Sequence, residues 1–230
     1  MTGITAVVLL YVLAQLGIAY FVSRQVRNEE DYIVAGRSLG PILCTFTVLA
    51  TWFGAETCIG AAGRSYEEGL SGNSADPFGY ALCLLFMGFF FATRLWNLKI
   101  TTMADLFKRR FGVRTERLAA ILMIPSSVLW AAAQIHAFGQ MLGVTSSMSS
   151  FITTTIAAAV VITYTSFGGM WADAATDLIQ GVVLLLGVGV LFAAVFLLGP
   201  APDFASLPAT YFEFKPGAMS SLEFLETWAV

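Results

Sequence analysis

Between Ala50 and Thr57 the chain reads Ala-Thr-Trp-Phe-Gly-Ala-Glu-Thr. Two hydroxyls, an acid, a tryptophan and a glycine thus sit at the centre of the hydrophobic stretch 41–63. That stretch is long enough to cross a bilayer, which takes ~20 apolar residues. Where a helix unwinds, its bare carbonyls offer oxygens to a hard cation and its bare N–H groups face an anion. Backbone that leaves a helix inside lipid must be shielded by protein or line a cavity. The pattern therefore predicts a discontinuous transmembrane helix with a binding site near the midplane, and a chain that moves a solute. The competing reading is a continuous helix with one tolerated glycine.

Further candidates surround this segment. An acid near mid-membrane is costly and by default functional, so Glu56 is a candidate to bind a cationic substrate, tune a cation site or carry a proton. If it lies near the outer end of its span, it is simply solvated. Asp76 and Tyr80 open the next span, and Asp76 before Pro77 also suits a helix N-cap. Trp52, Tyr80 and Trp130 are candidates for an aromatic cage. Such rings hold quaternary ammonium at ~0.5–2 kcal/mol each, although lone tryptophans more often just pack. Gln134 follows Trp130 by one helical turn and shares its face. His136, on an apolar span, reads as a hydrogen-bonded helix contact rather than a proton carrier.

The elements that position these groups are membrane helices. The chain has 230 residues, 57% hydrophobic and 12% charged, whereas a soluble domain carries ~25% charged residues. Six spans are expected, at about 4–23, 41–63, 77–97, 118–142, 150–167 and 176–199, all in one transmembrane domain covering 1–230. The first lacks a basic leading segment and an A-x-A-like end, so it reads as an uncleaved helix rather than a signal peptide. With the N-terminus outside, ten of the 12 Lys and Arg residues fall on inner segments, leaving Arg64 and Lys215 outside, a strong positive-inside bias. The inner connection Lys99 to Arg117 predicts a short helix starting at Thr101 or Thr102. The tail 200–230, opening after Gly199 with Pro200-Ala201-Pro202, is expected outside, with a helix beginning near Ser220. Pro125 is expected to kink span four. The small residues Ala131–Ala133, Ala157–Ala159, Gly181, Gly187 and Gly189 suit close helix packing in lipid.

Other chemistries find little support. Cys44, Cys58 and Cys83 form no C-x-x-C pair, and one histidine cannot build a multi-histidine metal site. A net charge of -3 and the lack of an aromatic-laced basic patch argue against nucleic acid. No nucleophile–base pair, metal cluster or phosphate loop suggests an enzyme or a cofactor.

Three segments together resemble the sodium:solute symporter family: Asp31-Tyr32-Ile33-Val34-Ala35-Gly36-Arg37-Ser38-Leu39-Gly40, Gly60-Ala61-Ala62-Gly63-Arg64-Ser65-Tyr66-Glu67-Glu68-Gly69, and Tyr164-Thr165-Ser166-Phe167-Gly168-Gly169 followed by Thr176-Asp177-Leu178-Ile179-Gln180. They keep their order and spacing over nearly the whole chain. Ala50-Thr51-Trp52 and Leu129-Trp130-Ala131-Ala132-Ala133 look most like the choline-transporter branch. Glu56 and Asp173 depart from that branch, where neutral residues are expected.

The resemblance implies an all-α integral membrane fold: one extra helix followed by two inverted five-helix repeats, with sodium as the coupling ion. This chain would supply the extra helix and the first repeat, as an N-terminal half or fragment whose partner is a second repeat or a separate C-terminal half. It also implies that the carbonyls of Ala50 and Phe53 contribute to a sodium site, and that Asp177 lies on the sodium release path, where an N-cap is the alternative role. Substrate would meet Trp52, Glu56, Asp76, Tyr80, Trp130 and Gln134. The expected activity is sodium-coupled symport of a small polar organic solute across the plasma membrane. The rival is a transporter-like sensory input module of a signalling protein.

Overall fold

The computed structural model describes residues 3–199, 206–215 and 219–228. Among these, every regular element is a helix. The chain runs through α1 (Gly3–Ser23), α2 (Glu29–Val34) and α3 (Pro41–Trp52). A π-helical turn (Glu56–Ala61) leads into α4 (Ala62–Glu68), and a second (Ser74–Gly79) into α5 (Tyr80–Phe86). A third π segment (Met87–Ala92) joins α5 to α6 (Thr93–Asn97). The helices α7 (Met103–Phe111), α8 (Val113–Ser146), α9 (Ser150–Leu198) and α10 (Ser221–Trp228) complete the order. Pro200-Ala201-Pro202, which opens the expected outer tail, lies outside the described residues.

Four helical runs are long and apolar enough to cross a membrane: Thr5–Ser23, Asp76–Asn97, Val113–Ser146 and Ser150–Leu198. A fifth arises if Glu29–Arg37 and Pro41–Trp52, bent by 106°, count as one span. Large side chains cover their outer faces: Leu122, Leu129, Phe192 and Leu198 are 65% exposed or more. So much contiguous apolar surface is stable only against lipid.

The stretch 41–63 is discontinuous, as expected: α3 stops at Trp52, and Phe53 and Gly54 form a bend. The helix boundaries differ from expectation farther along. The expected fifth and sixth spans belong to one helical run of 49 residues, α9. A straight helix of that length would reach about 74 Å, against ~30 Å of bilayer core. The run is broken at Gly169 (φ 51°, ψ -147°), the one residue with non-helical backbone. The segment expected as a loop is therefore helical on both sides of a single glycine. In α8 the chain continues as helix through Pro125.

The described residues fall into two compact units, Met1–Trp52 with Thr101–Leu186, and Phe53–Ile100 with Gly187–Val230. The first is packed through small residues, as helices in lipid require. Ala157, Ala172 and Ala174 are buried. A side chain at Gly139 would strike the backbone of Thr154, and one at Gly181 would strike the Phe46 ring. Ala131–Ala133 are exposed instead, and nothing lies within 4 Å of Gly187 or Gly189. Polar ties supplement the packing: the Thr5 hydroxyl donates to the Thr145 carbonyl at 2.7 Å, and the Tyr32 hydroxyl to the Thr165 carbonyl at 3.1 Å. In the second unit, Phe214 packs edge-on against both Phe78 and Phe224.

The connection from Lys99 to Arg117 forms the expected short helix. Thr102 caps α7, and Asp105 closes a capping box by accepting from the Thr102 N–H at 2.8 Å. Asp105 also accepts from the Thr101 N–H at 3.0 Å. These N–H bonds hold its carboxyl below the usual aspartate value, because they favour the charged form. A depressed folded-state pKa adds stability that is present above the unfolded value and lost as pH falls through the folded one. Protection of the amides at the start of α7, corrected for the intrinsic exchange rate, is therefore expected to fall only as pH drops below about 4. Thr102→Ala is expected to destabilise α7 by about 1 kcal/mol at neutral pH, read by the same exchange measurement.

Candidate functional site

The interruption after α3 follows from its residues. Gly54 disfavours helix by about 1 kcal/mol relative to alanine. Just before it, the Thr51 hydroxyl bonds back to the Thr47 carbonyl at 2.8 Å, a contact that competes with the helical ladder and bends helices. The helix resumes as π-helix at Glu56, a winding often found at functional sites.

In the second unit this places Glu56 and Thr57 opposite the start of α5. The Tyr80 hydroxyl donates to Glu56 Oε1 at 2.8 Å. The Thr57 hydroxyl donates to Asp76 Oδ2 at 2.7 Å. Asp76 is 4% exposed and extended (φ -123°, ψ 121°), as a residue before proline tends to be. Two adjacent residues beyond the break thus engage two residues one turn apart, giving two carboxylates, each fixed by a hydroxyl. Farther along, Ser65 Oγ donates to Asn73 Oδ1 at 2.6 Å, and the Tyr211 hydroxyl donates to the Tyr66 carbonyl.

Glu56, Asp76 and Tyr80 are therefore brought together. Thr57 was missed as the partner of Asp76, although its hydroxyl lies in the polar cluster that marked the break. Trp130 and Gln134 belong to the other unit, on α8, with Trp130 49% exposed and Gln134 half-buried. Beyond them, His136 and Gln140 approach at 3.1 Å as a hydrogen-bonded helix contact.

The sodium candidates are placed as follows. Ala50 stands in the last turn of α3, Trp52 ends it, and Phe53 lies in the bend. Asp177, half-buried in α9, is directed at the Thr47 hydroxyl. Thr47 Oγ1 is nonetheless buried with no hydrogen bond of 3.5 Å or less. Oxygen atoms left in this state suit a hard cation, which binds through oxygen ligands. Asp173, one turn earlier, is half-buried between the buried Ala172 and Ala174 rather than solvated.

The first unit also carries an open cleft of about 620 Å³ whose lining includes Val7, Tyr11 and Gln15 of α1, Phe138 of α8, and Tyr164 and Gln180 of α9. Gln15 is 6% exposed, and neither of its amide atoms has a partner. Tyr11 turns toward it without closing a bond of 3.5 Å or less. A buried orphan amide destabilises the fold. Gln15→Leu is expected to raise stability in detergent by about 1 kcal/mol, measured as a higher thermal midpoint.

Comparisons with known proteins identify relatives of this chain. The model of the sodium:solute symporter family matches residues 32–216. High-affinity choline transporter 1 of Drosophila melanogaster is 35% identical over 81% of this chain and 31% of its own length. The Caenorhabditis elegans protein of that name is 31% identical over 87% of this chain and 36% of its own. For the mouse protein the figures are 31%, 98% and 40%. The chain spans about a third of the length of these relatives.

Proposed function

Because the chain belongs to the sodium:solute symporter family, we propose that it carries out its part of sodium-coupled symport of a small polar solute bearing an ammonium group. The observation that carries this reading is the Tyr80–Glu56 hydrogen bond of 2.8 Å, two residues beyond the break at Gly54. It fixes a carboxylate where an unwound helix would face a solute. The printed names of the relatives, high-affinity choline transporters, favour a quaternary amine. Glu56 extends the range to a primary one.

In this reading α1 is the extra helix and the rest is the first repeat of a five-plus-five inverted-repeat fold, with its N-terminus outside a plasma membrane. The carbonyls of Ala50 and Phe53 bind sodium, Asp177 lines its release path, and further ligands come from a second repeat. The unpartnered Thr47 oxygen supports this assignment. Trp52, Glu56, Asp76, Tyr80, Trp130 and Gln134 meet the solute. Sodium stabilises the outward-open form, solute joins it, and a rocking bundle opens inward.

The test is uptake of labelled choline, betaine and proline into proteoliposomes with and without an inward sodium gradient. It uses the 230 residues alone and with a second repeat supplied in cis or in trans. Sodium-driven uptake of choline or betaine is expected only when the second repeat is present. Uptake by the 230 residues alone would overturn the need for a second repeat. Sodium-independent behaviour with both repeats would overturn symport.

A further inference from the structure

We propose that α7 and the first turn of α8 form a docking surface for the head groups of anionic phospholipids, so that α7 lies in the membrane interface. Met103, Phe107 and Phe111 recur every four residues and so share one stripe of α7. They are 43%, 37% and 64% exposed, more open than the half-buried Ala104, Asp105 and Leu106 of the same helix. Arg110 follows Met103 by two turns and stands on the same stripe, its guanidinium 5.9 Å from the Phe111 ring centre. A helix with aromatic residues on one face and bases beside them is built to lie in the interface plane.

The charge selects the lipid. From Met103 to Arg117 there are five bases and two acids. Both acids are engaged: Asp105 closes the capping box, and Glu116 pairs with Lys108 at 3.0 Å. Among the described residues Arg110, Arg114 and Arg117 form no ion pair, and all three are exposed. The surface cannot leave the membrane, because Gly112 alone separates α7 from the membrane-crossing α8. Polybasic segments in this position are drawn to an anionic leaflet, each base adding to the attraction. An acidic protein or nucleic acid would leave the exposed Phe107 and Phe111 in water, whereas a lipid leaflet buries them.

The experiment uses the full chain in nanodiscs of phosphatidylcholine, with or without phosphatidylglycerol. Retained lipid is counted by native mass spectrometry, and amide exchange is followed over 103–111. The wild type is expected to retain phosphatidylglycerol in preference to phosphatidylcholine. Exchange in α7 should slow when the anionic lipid is present, and less so at high salt. The triple variant Arg110→Gln/Arg114→Gln/Arg117→Gln is expected to lose the preference by on the order of tenfold or more. The matching Arg→Lys triple should keep most of it. Equal retention of both lipids by the wild type would overturn the proposal, as would salt-independent protection. So would an unchanged preference in a folded Gln triple, or equal protection by inorganic phosphate in phosphatidylcholine discs.

Discussion

Gly169→Ala is expected to abolish stable folding, costing about 3 kcal/mol or more. The backbone at Gly169 (φ 51°, ψ -147°) belongs to a region that a side chain essentially forbids. The added methyl group would also meet the Tyr32 carbonyl oxygen and lie 2.8 Å from its Cδ2. Tyr32 has little freedom to yield, because its hydroxyl is bonded to the Thr165 carbonyl. Strain and overlap therefore add at one point. The expected result is a collapsed monodisperse peak in mild detergent and a thermal midpoint far below that of the parent. Gly187→Ala serves as the control, since it has open space around it and should be nearly neutral. A Gly169→Ala protein as stable as Gly187→Ala would refute the strained, close-packed break at Gly169.

Glu56→Gln is expected to lower kcat/KM for sodium-driven uptake of an ammonium solute by about 10- to 100-fold. The glutamine retains an oxygen to accept from Tyr80 and nearly the same volume, so only the charge is lost. Tyr80→Phe removes the hydroxyl donor and keeps the carboxylate, and a loss of about tenfold is expected. The measurement is initial uptake with the second repeat supplied, at several solute concentrations, alongside a neutral solute of similar size. A fall for the ammonium solute alone places charge recognition at Glu56. An equal fall for both solutes would reduce Glu56 to a packing role, and no fall would remove it from the site.

Local patterns were readable in the residues. Thr102 with Asp105 is a short-range capping signal, and it closes as a box. Ser220 and Glu223 repeat that pattern at the start of α10, with the Ser220 N–H donating to Glu223 at 2.7 Å. Gly54 among polar neighbours marked where α3 would fail. What sequence could not supply was pairing over distance. Glu56 and Tyr80 were both candidates, but 24 residues separate them, and only the turns between them decide whether they touch. The continuity of α9 was hidden for a different reason. The expected spans 150–167 and 176–199 left 168–175 between them, yet the alanines there favour helix, and Asp173 and Asp177 fit on it, one turn apart. A single glycine was enough to break the run. The π-helical turns at Glu56 and Met87 follow from one extra residue per turn, which periodicity over short windows does not resolve.

The length of α8 gives the bilayer a mechanical part. Its 34 residues extend about 51 Å, while the hydrocarbon core is ~30 Å thick. Arg114 and Arg117 mark an end that belongs in water or head groups. Even the apolar stretch from Leu118 to Leu142, about 37 Å long, exceeds the core, so α8 must lean. A thinner membrane makes it lean farther and a thicker one draws it upright. Trp130 and Gln134 ride on this helix, so membrane thickness becomes a variable that re-aims two side chains proposed to meet the solute, without any ligand binding.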